Sequence, residues 1–376
     1  MTQCRPLVEI LSEIPDFRKV NAILYLHSGD TPETPPLACV AMMCGAKGYS
    51  AIAEWGRNYG KEISKALGFT HEKTPCAATF CNIFRKLEVQ LMESILGQWA
   101  DSISSSISSA VGIAIDGKTL HGSAKQGSGI THLLSAVTHG LGLTLAQSSV
   151  DNKTNEIGEI CELLKSLVLE GRIITVDALL TQRKVSQDII EGCGDYVMIV
   201  KENQKALMDD VKTVFDGPCS HLLRKWSDKT TDIGHGRIEE RFMTSSDELK
   251  GYSNWPGLHQ VFELTSTMVT KKTGKVSKET VYGITSLSPE EASASRLNDL
   301  VRSHWHIENK VHWVRDVIFD EDRSQVRCGN TPQVMSAIRN TVIGLMRHSG
   351  ITNIASSCRR FSARPKLALE LIGVRM

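Results

Sequence analysis

The sequence predicts an α/β protein in which a mixed sheet with a β-rich insertion follows a helical N-terminal domain. Three observations predict it. Up to about residue 105, apolar residues recur at helical spacing. From Val111 the pattern changes to short apolar runs separated by glycines. From Glu156 to Val200 strand-like runs alternate with helical ones, which implies a parallel portion of sheet.

In the N-terminal domain, assigned to residues 1–105, helices are expected over Leu37–Cys44, Ala51–Tyr59 and Thr79–Ala100. The serine-rich stretch Ser102–Ser109 offers little to a core and marks the boundary. Downstream, VGIAID, HLLSAVTH and LTLAQSSV read as three successive strands, with Gly127, Gly129, Gly140 and Gly142 in the turns between them. A helix over Glu156–Glu170, the strand IITVDA, a helix over Gln182–Glu191 and the strand YVMIV follow. Three strands and then an αβαβ run is the order of a ribonuclease H-like domain, an order that other α/β folds share. Between about 205 and 288 the segments IEERFMTSS, HQVFELTSTMV and ETVYGITSL read as a β-rich insertion within a domain spanning 106–376. A helical block starts near Glu290 and carries RSHWHIENKVHWVRD.

The composition, 41% hydrophobic and 23% charged over 376 residues, is that of an ordinary folded protein. A net charge of +1 gives no overall basic field, so an affinity for nucleic acid would have to come from local charge. From Thr331 onward seven basic residues face one acid, a balance of 7 − 1 = +6, which suits either a solvated face or a phosphate-contacting one. The N-terminus lacks a basic start followed by an apolar core, so the ten cysteines are expected as reduced thiols in a cytoplasmic protein. Cys39/Cys44 and Cys76/Cys81 lack the spacing of a zinc ribbon and are expected in the core. The longest apolar run, Leu37 to Ala46, is about half of the roughly 20 residues of a membrane-spanning helix, so no membrane association is expected.

Asp116 ends VGIAID and Asp177 ends RIITVD, each where a buried strand should emerge. A carboxylate there is costly unless it is paired, hydrogen bonded or bound to metal, and sites in parallel sheets lie at the carboxyl ends of strands. Either aspartate alone would serve as a cap or turn former; two at equivalent exits point to a shared site. In the later helical block, His304, Glu308, His312 and Arg315 are spaced to share one face. A plain charged face beside buried Trp305 and Trp313 would give the same spacing. The two histidines lack the spacing of a helix-borne zinc site. Asp116, Asp177 and Glu308 together supply the hard oxygen ligands that a two-metal phosphodiester displacement requires.

The blocks AIDGKTLHGS (114–123), DNKTNEI (151–157), TVDALLTQ (175–182), DYVMIVKENQ (195–204), GHGRIEER (234–241) and the long run from Arg302 to Arg327 resemble the H-repeat-associated insertion-sequence transposases, also called the ISAs-one group, within the DDE transposases. The stretches GYSAIAEWGR and TPCAATFCNIFRKLE resemble that family's associated N-terminal domain, expected to help bind element ends. The resemblance implies a ribonuclease H-like catalytic domain and places Asp116, Asp177 and Glu308 at its three metal-binding positions. It also implies an insertion in the interval of 308 − 177 = 131 residues between the second and third carboxylates. It further implies two Mg²⁺ ions, for which Mn²⁺ could substitute, double-stranded DNA as element ends and target, and a homodimer on DNA. Arg315, seven positions after the glutamate, matches a basic residue that contacts DNA in related transposases. The sequence departs from relatives over residues 20–36, where they carry a short basic stretch.

Further DNA contacts are expected from Lys118, from Lys201, Asn203 and Gln204 past a strand, from His235, Arg237 and Arg241 in the insertion, and from Arg302, His304 and His312. Strand-exit caps and cross-strand ion pairs would explain several of them equally. Two rival functions use the same residues: a metal-dependent nuclease, and an inactive transposase remnant that binds DNA.

Overall fold

A computed structural model describes residues 5–14, 34–69, 73–106, 112–124, 130–150, 156–234 and 236–374. Most of the 20–36 stretch, the start of DNKTNEI, Gly127, Gly129, His235 and Arg375 lie outside the described residues. The chain divides into two compact units: residues 1–108, 117–155 and 307–376 form the first, and residues 109–116 and 156–306 the second. The expected division at residue 105 follows the chain; these units instead group the N-terminal helices with segments from the far end of the sequence.

In the first unit, helix Thr34–Met43 is buried along all ten residues. Its two prolines fall in the first turn, where the missing N–H groups have no helical partner to lose. Helix Tyr49–Ala66 follows. The single helix expected over Thr79–Ala100 is two, Ala77–Lys86 and Val89–Ser105, because Leu87 takes an extended backbone at ψ 138°. The carbonyl of Leu87 accepts from Asn330 Nδ2 at 3.1 Å, which satisfies a group the break exposes. Helix Thr331–His348 is buried from Thr331 to Met346 and packs on Thr34–Met43 and on Val89–Ser105. Two short helices, Ile354–Ala363 and Pro365–Ile372, also pack on Thr34–Met43. Strands β2 (Thr131–Thr138) and β3 (Thr144–Val150) form an antiparallel hairpin whose turn uses Gly142 at φ +68°. The second half of β1 (Gly112–Leu120) belongs to this unit, with strand order β3-β2-β1.

The second unit is a mixed sheet in the order β1-β4-β5-β9-β8-β7-β6. The first half of β1 pairs in parallel with β4 (Ile173–Val176), and β4 in parallel with β5 (Asp195–Val200). β4 is β-branched throughout and apolar but for Thr175, as a parallel strand buried on both faces requires, and all four residues are buried. Beyond β5 the pairing turns antiparallel through β9 (Val276–Thr285), β8 (Gln260–Thr270), β7 (Arg237–Ser246) and β6 (Trp226–Gly234). These four strands are the expected insertion, although its first dozen residues are helical, Lys205–Asp216. Helix Ala294–His304, capped by Ser293 Oγ accepting from Arg296 N–H at 3.3 Å, lays Leu297, Leu300 and Val301 against Val197, Met243, Phe262 and Leu264. Among the described residues, no helix is long and apolar enough to cross a membrane.

Candidate active site

In the second unit, Ile115 stands opposite Val176 in the parallel pairing of β1 and β4. Asp116 and Asp177 come next, so the two stand side by side where this parallel pairing ends; Asp177 leaves β4 there as expected, but β1 runs on to Leu120, so Asp116 lies within its strand and not at the expected exit. Both are half-buried. Asp177 also does the local work of a turn former: its Oδ1 accepts from Leu180 N–H at 3.1 Å. The Thr181 hydroxyl is held 2.8 Å from the Asp177 carbonyl and 2.7 Å from that of Ile199, which ties this turn to β5.

His304, the last residue of its helix, places Nδ1 3.0 Å from the Thr175 hydroxyl, two residues before Asp177 on β4. Burial pushes the imidazole below its ordinary pKa, while the charges of Asp116 and Asp177 pull the other way. The ring therefore lies within the field of both aspartates. Thr175 was not anticipated, yet residues two apart on a strand share a face, so its position before Asp177 was a readable signal.

In the first unit, Glu308 lies on a surface with His312 Nδ1 3.1 Å from its Oε2. That hydrogen bond holds the Glu308 carboxyl below its usual pKa against its partial burial, and the charge of Lys118 adds to the effect. Lys118 is itself buried, with Nζ 2.6 Å from Asp316 Oδ2, so it is an internal counter-charge and not the exposed phosphate contact expected.

The helical stripe through His304, Glu308, His312 and Arg315 holds only in part. The α-helix ends at His304, and residues 308–312 and 314–318 wind as a π-helix. Single π turns inside helices are uncommon and concentrate at functional sites. Glu308 and His312 still pair, but Arg315 turns inward, with 0% exposure, donating from Nε to Glu321 Oε2 at 2.6 Å and from Nη2 to Ser336 Oγ at 2.7 Å. Arg339 Nη1 reaches the other oxygen of Glu321 at 2.9 Å. Burial pushes the Glu321 carboxyl up, yet the two guanidinium charges outweigh it and hold the group ionised. The DNA contact expected of Arg315 is therefore replaced by a buried structural role. Arg339 is likewise withdrawn from the basic C-terminal face.

Trp305 and Trp313, expected in the core, are 64% and 51% exposed. Ile307, Val311 and Val314 take the inward positions of the segment, which leaves the indoles outside. Cys39 and Cys44 are buried as expected, but Cys76 is exposed and Cys81 partly so.

The remaining expected contacts divide by what already holds them. Asn203 Nδ2 donates to the Ala178 carbonyl at 2.6 Å and Gln204 Nε2 to that of Thr181 at 3.2 Å, so both brace the turn after Asp177. Arg241 pairs with Glu239 at 2.6 Å and Arg302 with Asp232 at 2.7 Å. Lys201 and Arg237 are exposed.

The family described as transposase DDE domain matches residues 107–345, and a domain described as associated with it matches residues 8–100. A protein of Escherichia coli O157:H7 named as the transposase YncI is 30% identical over 347 residues, 91% of this chain and 87% of its own length. The protein named as the H repeat-associated transposase YhhI of Escherichia coli K12 is 29% identical over 359 residues, 93% of this chain and 92% of its own. A solved synaptic complex of piggyBac transposase with hairpin DNA has a TM-score of 0.46 at 11% identity, over 97% of this chain and 78% of that one.

Proposed function

This chain belongs to the transposase DDE domain family, and on that premise we propose that it is a DNA transposase, cutting and joining DNA strands by metal-dependent phosphoryl transfer on a ribonuclease H-like catalytic fold. Asp116, Asp177 and Glu308 are its metal-binding triad, and it acts on double-stranded DNA as a homodimer. The observation that supports this reading is the register of β1 and β4, in which Asp116, inside β1, and Asp177, just past β4, follow the last parallel pair, Ile115 and Val176.

The donor chemistry fits hard divalent cations, Mg²⁺ with Mn²⁺ as a substitute, because all three groups offer carboxylate oxygens. Two such ions would stabilise the attacking and leaving oxygens of the displaced phosphodiester. The protein's own contribution is order and charge. Leu180 N–H fixes one oxygen of Asp177, and the braces from Asn203, Gln204 and Thr181 hold the turn that follows it. His312 fixes Glu308 and keeps it anionic, with Lys118 assisting. Of the lysines and arginines expected as DNA contacts, exposed Lys201 and Arg237 are the ones left to meet phosphates.

The test separates chemistry from binding. Asp116→Asn, Asp177→Asn and Glu308→Gln should each abolish cleavage of terminal-repeat DNA in Mg²⁺ while leaving duplex affinity nearly unchanged, since affinity comes from cations and counterion release. Ca²⁺ should allow assembly with little turnover. Wild-type cleavage rates in all three variants would remove the triad. Cleaved ends that are never joined to target DNA would favour the nuclease reading.

A further inference from the structure

The far end of the antiparallel ribbon β6–β9 carries a concentration of charge that the triad does not use. The inner ends of β7, β8 and β9 are buried, as in Met243–Ser246 of β7 and Tyr282–Thr285 of β9. Outward the burial fails, and residues 271–280 are exposed without exception. Out to the level of Glu279 this end holds Arg237, Arg241, Lys271, Lys272, Lys275 and Lys278 against Asp232, Glu239, Glu240 and Glu279, a balance of 6 − 4 = +2; Asp232, Glu239 and Glu240 are taken up in ion pairs with Arg302, Arg241 and Lys229.

The two hairpin ends lie together, since Arg237 pairs with Thr270 and Lys271 N–H donates to the Gly236 carbonyl at 2.9 Å. The cations thus form one cluster. Between Lys278 on one side and Arg237, Lys271, Lys272 and Lys275 on the other, a row of β-branched residues crosses all four strands, Ile233, Ile238, Val269 and Val276, placed opposite one another by the register. Ile233 and Val276 at its ends are 68% and 60% exposed. Like charges gathered at the end of a sheet repel each other and cost stability, unlike the interspersed charges that merely protect an edge.

We propose that this ribbon end is a sequence-independent contact for the phosphate backbone of duplex DNA, with the apolar row resting against the sugars. The proposal builds on the transposase reading by adding a second place where the protein grips its substrate, away from Asp116 and Asp177 along the β strands. Lys271, Lys272, Lys275 and Lys278 supply most of the contact. Paired Arg241 does not take part.

The experiment uses the full chain and a labelled duplex of arbitrary sequence, with affinity measured across a series of KCl concentrations. Replacing the four lysines by glutamine should flatten the slope of log K against log salt by about 0.9 for each phosphate that is no longer neutralised, and weaken binding equally for any sequence. The corresponding arginine variant should keep the wild-type slope, which separates an effect of charge from an effect on folding. An unchanged slope in the glutamine variant overturns the inference and leaves the triad untouched. A changed oligomeric state in sedimentation with an unchanged slope would make the ribbon end a contact between copies and overturn it as well. Failure of cleavage by the wild type, with the slope shift present, would sink the catalytic reading alone.

Discussion

Arg315 shows how one side chain can be assigned correctly by spacing and wrongly by role. Its position, seven residues past Glu308, matched a DNA contact in related transposases, yet the guanidinium is enclosed between Glu321 and Ser336. Removing one partner of a buried ion pair leaves the other charge desolvated, at a cost of about 3–5 kcal/mol. Arg315→Ala should therefore lower the midpoint of denaturant unfolding sharply, whereas a DNA-contacting arginine would alter the salt slope and leave the midpoint alone. That Asp116 and Asp177 would stand beside one another was legible because each closes an apolar run, although only β4 ends at its aspartate and β1 continues to Leu120. Arg315 was not, because its partners Glu321 and Ser336 answer to a backbone winding that α-helical arithmetic does not contain.

Among the elements, helix Val89–Ser105 meets strand β3 at Gly97, where an added Cβ would stand 2.1 Å from the Leu145 carbonyl oxygen. Two effects oppose each other in Gly97→Ala. Alanine favours a helix over glycine by about 1 kcal/mol, but the obstacle is backbone and cannot rotate away, so overpacking of about 1–3 kcal/mol should win. The variant is expected to be less stable by thermal melting; a gain would mean that helix and strand separate at little cost. The strands and most helices followed from periodicity. The break at Leu87 did not, since the apolar spacing continues across it and the carbonyl it exposes is met by Asn330, more than 200 residues away in sequence.

At the scale of the whole molecule, the N-terminal helices read as a separate module because all the recognisable chemistry lies downstream of them. Their packing partners are equally far downstream, and periodicity does not report which faces meet. Glu93 is bound by Gln333 Nε2 at 2.9 Å and by Gln147 Nε2 at 2.8 Å; Gln147 accepts from Asn340 at 2.9 Å and from Ser336 at 3.1 Å. Ser336 accepts from Arg315. A chain that starts at residue 106 would thus expose the apolar length of Thr331–His348 and break this network. It should be recovered aggregated or with poorly dispersed NMR spectra; a well-folded fragment would show that the segment from residue 106 onward folds without the N-terminal helices. The same separation sets a schedule for synthesis. Thr34–Met43 meets its neighbour Tyr49–Ala66 soon after synthesis, but the three helices that cover the rest of it begin at Thr331, an interval of 331 − 43 = 288 residues. At roughly 5–20 residues per second that is a wait of about 15–60 s with a largely apolar helix only partly covered. In the cell, the yield of this protein should therefore depend on chaperones that occupy nascent chains, and a message cut short before Thr331 should give a product that proteases remove.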